Sequence, residues 1–289
     1  MAEIETIEDV KKQILATLAP YLDGLHSVVL IGSWAHGAEE EGSDVDVVVI
    51  CKQEAYKRVS QAIWNLRMST VDEQPDFAYD VCDQKRIREP FTLGSPYANA
   101  IRHGLVLIDD GFFRALVRNP EYPLSPGMAY YAHAFRRFIL PWFLDVVIRL
   151  DRQIREDHGP GGICADGECL SHTEGDILAM LISRMLYITL PSRGYLPLSK
   201  KQLLDYSLKV YGADIRAPLA KAVEIARENR AADYDEYRLL RPVARKLLRE
   251  VVSLLDKRTC RQIFDEARGI TRKHYKDYSL SWSGHQGCP

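Results

Sequence analysis

Val28-Val29-Leu30-Ile31-Gly32-Ser33-Trp34-Ala35-His36-Gly37-Ala38-Glu39-Glu40-Glu41-Gly42-Ser43-Asp44-Val45-Asp46-Val47-Val48-Val49-Ile50 is the stretch whose reading decides the fold. A β-branched run stops at a Gly-Ser pair, an acidic glycine-rich turn follows, and a second β-branched run opens on two aspartates one residue apart. Side chains two apart on a strand leave the same face, so Asp44 and Asp46 present their carboxylates together. Two such carboxylates repel each other, and a hard divalent cation such as Mg²⁺ is the common way to keep both ionised. At Gly32-Ser33 the missing side chain lets backbone N–H groups approach a phosphate, with the serine hydroxyl as a further donor. The pattern predicts a phosphate-binding turn joined to a metal site, the parts needed to hold a nucleoside triphosphate through its metal.

Gly32-Ser33-x-Ala35-x-Gly37 followed by Ser43-Asp44-Val45-Asp46 resembles the signature of the polymerase-beta-type nucleotidyltransferase superfamily, and within it the minimal and antibiotic nucleotidyltransferases. The resemblance spans roughly residues 28–108. Trp34 and His36 depart from it, standing where relatives often carry Arg or Lys. It implies an EC 2.7.7-type transferase that moves an NMP group, AMP from ATP first of all, onto an acceptor hydroxyl with release of pyrophosphate. It also implies two Mg²⁺ ions, with Mn²⁺ as the alternative, and a third carboxylate that helps hold metal and takes the proton of the incoming hydroxyl. Gly32, Ser33 and Ser43 form the implied nucleotide-binding set.

Residues 7–22 carry Ile7, Val10, Ile14, Leu15, Leu18 and Leu22 at helical spacing behind a capping Thr6, which predicts a helix covering a sheet. A second helical pattern runs over 53–67, and a strand-like run, Phe77-Ala78-Tyr79-Asp80-Val81-Cys82, comes next. Strand, helix, strand implies a crossover and a parallel pair. Parallel strands start at the same end of a sheet, so Asp76, opening this strand, is the expected third carboxylate. Asp80, two pleats along on the same face, is the alternative. Lys85, Arg86 and Arg88 follow within reach of phosphates, with Lys85 and Arg86 assigned to the nucleotide, against the plainer reading of a solvated turn. Gly94 to Ile108 reads as a short helix ending at Gly104 and a last edge strand.

Beyond residue 110 strand signals fade. Tyr131 to Leu150 form one wide apolar stripe interrupted by Pro141, residues 174–190 are apolar nearly all round, and further helical patterns occupy 199–211, 214–230, 235–257 and 260–275. The expected class is α+β: a small mixed-sheet nucleotidyltransferase domain over 1–110, an all-α bundle over 111–275, and a loose tail over 276–289. Such bundles follow the transferase domain in antibiotic-modifying relatives and in chains allied to the HEPN class. The Arg and His gap of HEPN ribonucleases recurs at Arg152/His158 and Arg268/His274, as arginine-rich helices produce by accident.

No run of eighteen apolar residues occurs, and the start, Met1-Ala2-Glu3-Ile4-Glu5, is acidic, so a cytoplasmic protein without membrane contact is expected. Six cysteines scattered through a chain of this size read as reduced thiols. His158, Cys164, Cys169 and His172 could ligate zinc, but their spacing matches no familiar pair, and an incidental glycine-rich loop is the preferred reading. Residues 1–110 hold 10 Lys and Arg against 19 Asp and Glu, whereas the remainder holds 28 against 21. A basic second half disfavours a polycationic acceptor and suits an RNA or acidic protein. A small-molecule hydroxyl and a tRNA or partner protein therefore stand as competing acceptors. The aromatic-rich helices leave room for a homodimer. From another class, a nucleotide sensor could keep the fold without catalysis; intact Gly32, Ser33, Asp44 and Asp46 argue against it.

Overall fold

A computed structural model describes residues 6–39, 43–69, 75–140, 175–228 and 232–274. The Pro141 kink, the His158–His172 loop with Arg152, and the tail from 276 lie outside the described residues, as do the side chains of Arg268 and His274. The chain divides into two compact units, Met1–Pro126 with Leu196–Gln202, and Gly127–Tyr195 with Leu203–Pro289.

The first unit opens with α1 (Ile7–Leu18), whose end is fixed by a reciprocal cap: the Thr6 side chain accepts from Asp9 N–H, and the Asp9 carboxylate accepts from Thr6 N–H. Val10, Ile14 and Leu18 form its fully buried stripe. The helical pattern expected to residue 22 continues as a tighter 3₁₀ segment, Ala19–Gly24, where Pro20 removes a backbone donor. Four strands follow: β1 (Leu25–Ile31), β2 (Val45–Cys51), β3 (Phe77–Asp83) and β4 (Leu105–Asp109). Their spatial order is β3-β2-β1-β4. β1 runs antiparallel to both β2 and β4, and β2 runs parallel to β3 across the crossover helix α3 (Tyr56–Ser69). The fold is thus α+β with a small mixed sheet, as the sequence pattern implied.

Strand alternation sorts the side chains into two cores. Val28, Leu30, Val45, Val47, Val49 and Val81 face α1 and α3. Val29, Ile31, Val48, Ile50 and Cys82 face the other way, onto α4 (Gln84–Thr92), α5 (Pro96–Arg102) and α6 (Phe112–Arg118). Because both faces are covered, the central strands are nearly uniform apolar runs and not alternating ones. The unit extends past residue 110 because Phe113 and Leu116 of α6 are buried in this second core.

The second unit is helical in its described part. It contains α7 (Met128–Ala134) running into a π-helical turn (Phe135–Ile139), then α8 (Gly175–Ser192), the greater part of α9 (Lys200–Tyr211), α10 (Arg216–Glu228), α11 (Tyr234–Ser253) and α12 (Lys257–His274). α8 is buried on most sides through Leu178, Leu181, Ile182, Met185, Leu186 and Leu190, and both α10 and α11 pack on it. A helix buried this completely is apolar all round, which is how its sequence reads. No described helix is long and apolar enough to cross a membrane.

Candidate active site

The two halves of the quoted stretch meet at one end of the sheet. β1 stops at Ile31, which lies opposite Asp46 in the antiparallel ladder. Gly32 then turns the chain with φ of 74°, a left-handed value that favours glycine. A single helical turn, α2 (Gly32–Ala35), follows, and the Ser33 carbonyl closes it by accepting from His36 N–H at 3.0 Å and Ala38 N–H at 3.1 Å. The Asp46 side chain is folded against this corner: a Cβ on Gly32 would lie 2.5 Å from Asp46 Oδ2. The glycine is therefore needed twice, for its backbone and for the space its hydrogen leaves to the carboxylate.

Trp34, the residue that departs from the expected Arg or Lys, is buried in the α1/α3 core, and its indole N–H donates to the Ser43 carbonyl at 3.4 Å. It fastens the turn to the segment that carries Ser43 and Asp44, both half-buried. His36 lies beside it with Nε2 buried and without a hydrogen-bond partner among the described residues. Burial, and secondarily the charge of His103, hold its imidazole below the usual pKa.

Asp76 immediately precedes β3, and its carbonyl accepts from Val45 N–H at 2.8 Å, which sets it beside Asp44 at the entrance to the parallel pair. Asp80 lies four residues further on, opposite Val48, and alternation puts it on the same face as Asp46. Its Oδ2 accepts a hydrogen bond of 2.5 Å from the Tyr97 hydroxyl, delivered from the first turn of α5. Burial first, then the charges of Asp80 and more distantly Asp46, push the Tyr97 phenol well above its usual pKa. Alternation thus puts Asp46 and Asp80 on one face, with Asp44 and Asp76 just before the two strands and Asp80 tied to α5.

The two cations expected to meet phosphate separate. α4 buries Ile87 and Phe91, four apart, so Lys85 lies on the opposite, exposed side. Arg86 reaches back, with Nη2 4.0 Å from Asp80 Oδ1 and Nη1 donating to the Tyr56 hydroxyl at 3.3 Å. Tyr97 lies in the stretch that the sequence marks only as a short helix; its contact with Asp80 spans 17 residues, and the local signal is its place after the Ser95-Pro96 helix start.

No three His, Cys, Asp or Glu side chains are drawn together tightly enough to hold an ion among the described residues. The donor set nevertheless fits a hard cation: it consists of carboxylate oxygens on adjacent strands, one of them lodged in the Gly32 cradle, which is the ligand chemistry of Mg²⁺. Like charges on neighbouring pleats stay apart until something neutralises them.

Residues 11–97 match the family model of the nucleotidyltransferase domain. No curated protein matches the chain.

Proposed function

We propose, from the premise that residues 11–97 of this chain are a nucleotidyltransferase domain, that it transfers AMP from ATP to a hydroxyl of an acceptor and releases pyrophosphate. The observation that carries this reading is the contact between Asp46 and Gly32, because it makes the metal-ligand position and the phosphate turn one site. Asp44 and Asp46 would hold Mg²⁺, two ions in full, with Mn²⁺ as a substitute. Bound there, the metal supplies neutralisation of charge on the entering and leaving oxygens. The backbone of Gly32 and Ser33, with the Ser33 and Ser43 hydroxyls, cradles the terminal phosphates that depart. Asp80 is the third carboxylate, with Asp76 the alternative, and takes the proton of the attacking hydroxyl. Its support is the Tyr97 hydrogen bond together with its position on the Asp46 face of the parallel pair. Arg86, next to Asp80, is better placed than Lys85 to balance phosphate charge.

The site belongs with the ATP and Mg²⁺ of the cytoplasm. The acceptor is a small-molecule hydroxyl or a tRNA or protein, and the excess of Lys and Arg beyond residue 110 favours the macromolecule. Incubation with each α-³²P-labelled NTP, Mg²⁺ and a cell extract tests the proposal. Label appearing on an acceptor from ATP, and lost in Asp44→Ala with Asp46→Ala, is the expected result. Metal-independent ATP binding that survives both substitutions, without transfer, would make the chain a nucleotide sensor.

A further inference from the structure

The second unit presents a face that nucleotide chemistry does not use. α11 buries Tyr237, Leu240, Ala244, Leu247 and Val251 against its neighbours. The residues on its far side are Arg238, Arg241, Arg245, Lys246 and Arg249, all exposed. At three- and four-residue intervals successive cations sit about 5–6 Å apart, and the row from Arg238 to Arg249 is about 16 Å long. Of the nearby acids, Glu250 holds Arg193 at 2.7 Å, and Glu236 lies 3.3 Å from Lys221. Asp235 remains at one end of the row.

Half-buried Tyr211 lies beside this row, under Lys246, and Tyr206 lies on the same helix as Tyr211, under Lys209. Lys246 Nζ and Arg193 Cζ both lie 5.6 Å from the Tyr211 ring centroid, and Lys209 Nζ lies 5.5 Å from that of Tyr206. Tyr206 in turn packs against Tyr195 at 5.2 Å. We infer that this face of α11, with Tyr211 beside it, binds a single-stranded nucleic acid, phosphates along the arginine row and a base against Tyr211. The composition chooses this partner. Guanidinium forks match phosphate oxygens better than ammonium groups do, and aromatic rings beside them supply stacking that an acidic protein would not need. A lipid surface is disfavoured because Leu239 is the one large apolar side chain exposed on the described part of α11, too little to insert. The inference concerns binding by the second unit and stands apart from the transfer reading of the first.

The test is fluorescence anisotropy on the full chain with a labelled oligoribonucleotide of about 16 residues, the DNA strand of the same sequence, and the RNA duplex, across a range of salt. Single strands of either sugar should bind more tightly than the duplex. In the triple variant R241Q/R245Q/R249Q the slope of log affinity against log salt should shrink by about 2, with affinity at 0.1 M salt falling about 100-fold. A control removing equal charge from exposed positions of the first unit, K57Q/R114Q/R118Q, should stay within twofold. Circular dichroism melting reports whether the triple variant is folded, and the salt slope of the unaltered chain is read independently of any variant. The inference is overturned if no single strand binds, if the salt slope of the unaltered chain is near zero, if both triple variants lose equally, or if the duplex binds as well as the strands.

Discussion

Gly32→Ala and Gly37→Ala form a matched pair. Both glycines have left-handed backbones, φ of 74° and 60°. An L-residue pays about 1–2 kcal/mol in that region, partly offset by about 0.4–1 kcal/mol from the stiffer unfolded chain. Each substitution should therefore lower unfolding stability by about 0.5–1 kcal/mol. What differs is the space. A Cβ at Gly37 meets nothing within 4 Å, whereas at Gly32 it would lie 2.5 Å from Asp46 Oδ2 and 3.4 Å from Asp46 Cγ. Ordinary contact requires the oxygen to retreat by about 1 Å, and because it is the far end of a rotatable side chain, the extra loss of stability is small. Catalysis is less tolerant: displacing a positioned group by about 1 Å costs on the order of 100-fold in rate. Urea unfolding and initial rates of label transfer from ATP, measured side by side, should show similar stabilities for the two variants and a rate gap of about two orders of magnitude. Equal rates in the two variants would refute the placement of Asp46 in the reacting centre.

The remaining expectations follow from contacts of the first unit. Asp80→Asn should abolish transfer while Asp76→Asn keeps it within about tenfold, a rise of at most about 1.4 kcal/mol in the barrier; the reverse ranking in single-turnover assays would make Asp76 the third carboxylate. Cys51, whose thiol burial and then the Asp83 charge push up to about 12, and Cys82, pushed higher by burial and Asp80, should resist iodoacetamide until the chain unfolds, as read by mass spectrometry of the alkylated peptides. At the opposite end of β1, Asp110 accepts from His26 Nδ1 at 2.7 Å. Burial acts to raise its pKa, but the His26 hydrogen bond, the Phe112 N–H, and the charges of His26 and Lys52 outweigh it, so the carboxyl titrates below its ordinary value. A lowered folded pKa stabilises above the unfolded pKa and is lost as pH falls through the folded one. Asp110→Asn should therefore destabilise near neutral pH, with the difference from the unaltered chain shrinking in urea unfolding as the pH falls through the carboxyl's lowered folded-state pKa.

How much of this was legible depends on how local each signal is. β1, β2 and β3 are apolar runs bounded by glycine, aspartate and proline, and the parallel pair follows from the crossover, so strand identity and the shared face of the aspartates could be read directly. α4 could not be read as easily. Its charges and Pro90 suggest a turn, yet the Asp83 carboxylate caps it by accepting from Arg86 N–H at 2.7 Å, and Ile87 with Phe91 anchor it to the sheet. A cap followed by two apolar residues four apart is a faint pattern beside four charges. Local reading left both Asp76 and Asp80 open as the third carboxylate; what the structure adds is the Tyr97 hydrogen bond to Asp80, brought from another helix.

Trp34 carries the argument furthest. Where relatives place a cation, this chain places an indole that is 8% exposed and bonded to the Ser43 carbonyl. Such a side chain stabilises the turn from within the core and contributes no charge to a phosphate. His36, also in that turn, is held below its usual pKa by burial and His103, so it adds little charge either. The turn thus offers little positive charge, and on the proposed reading phosphate is met there by backbone N–H groups. On that same reading the positive charge for the leaving group comes from Arg86, which lies 4.0 Å from Asp80.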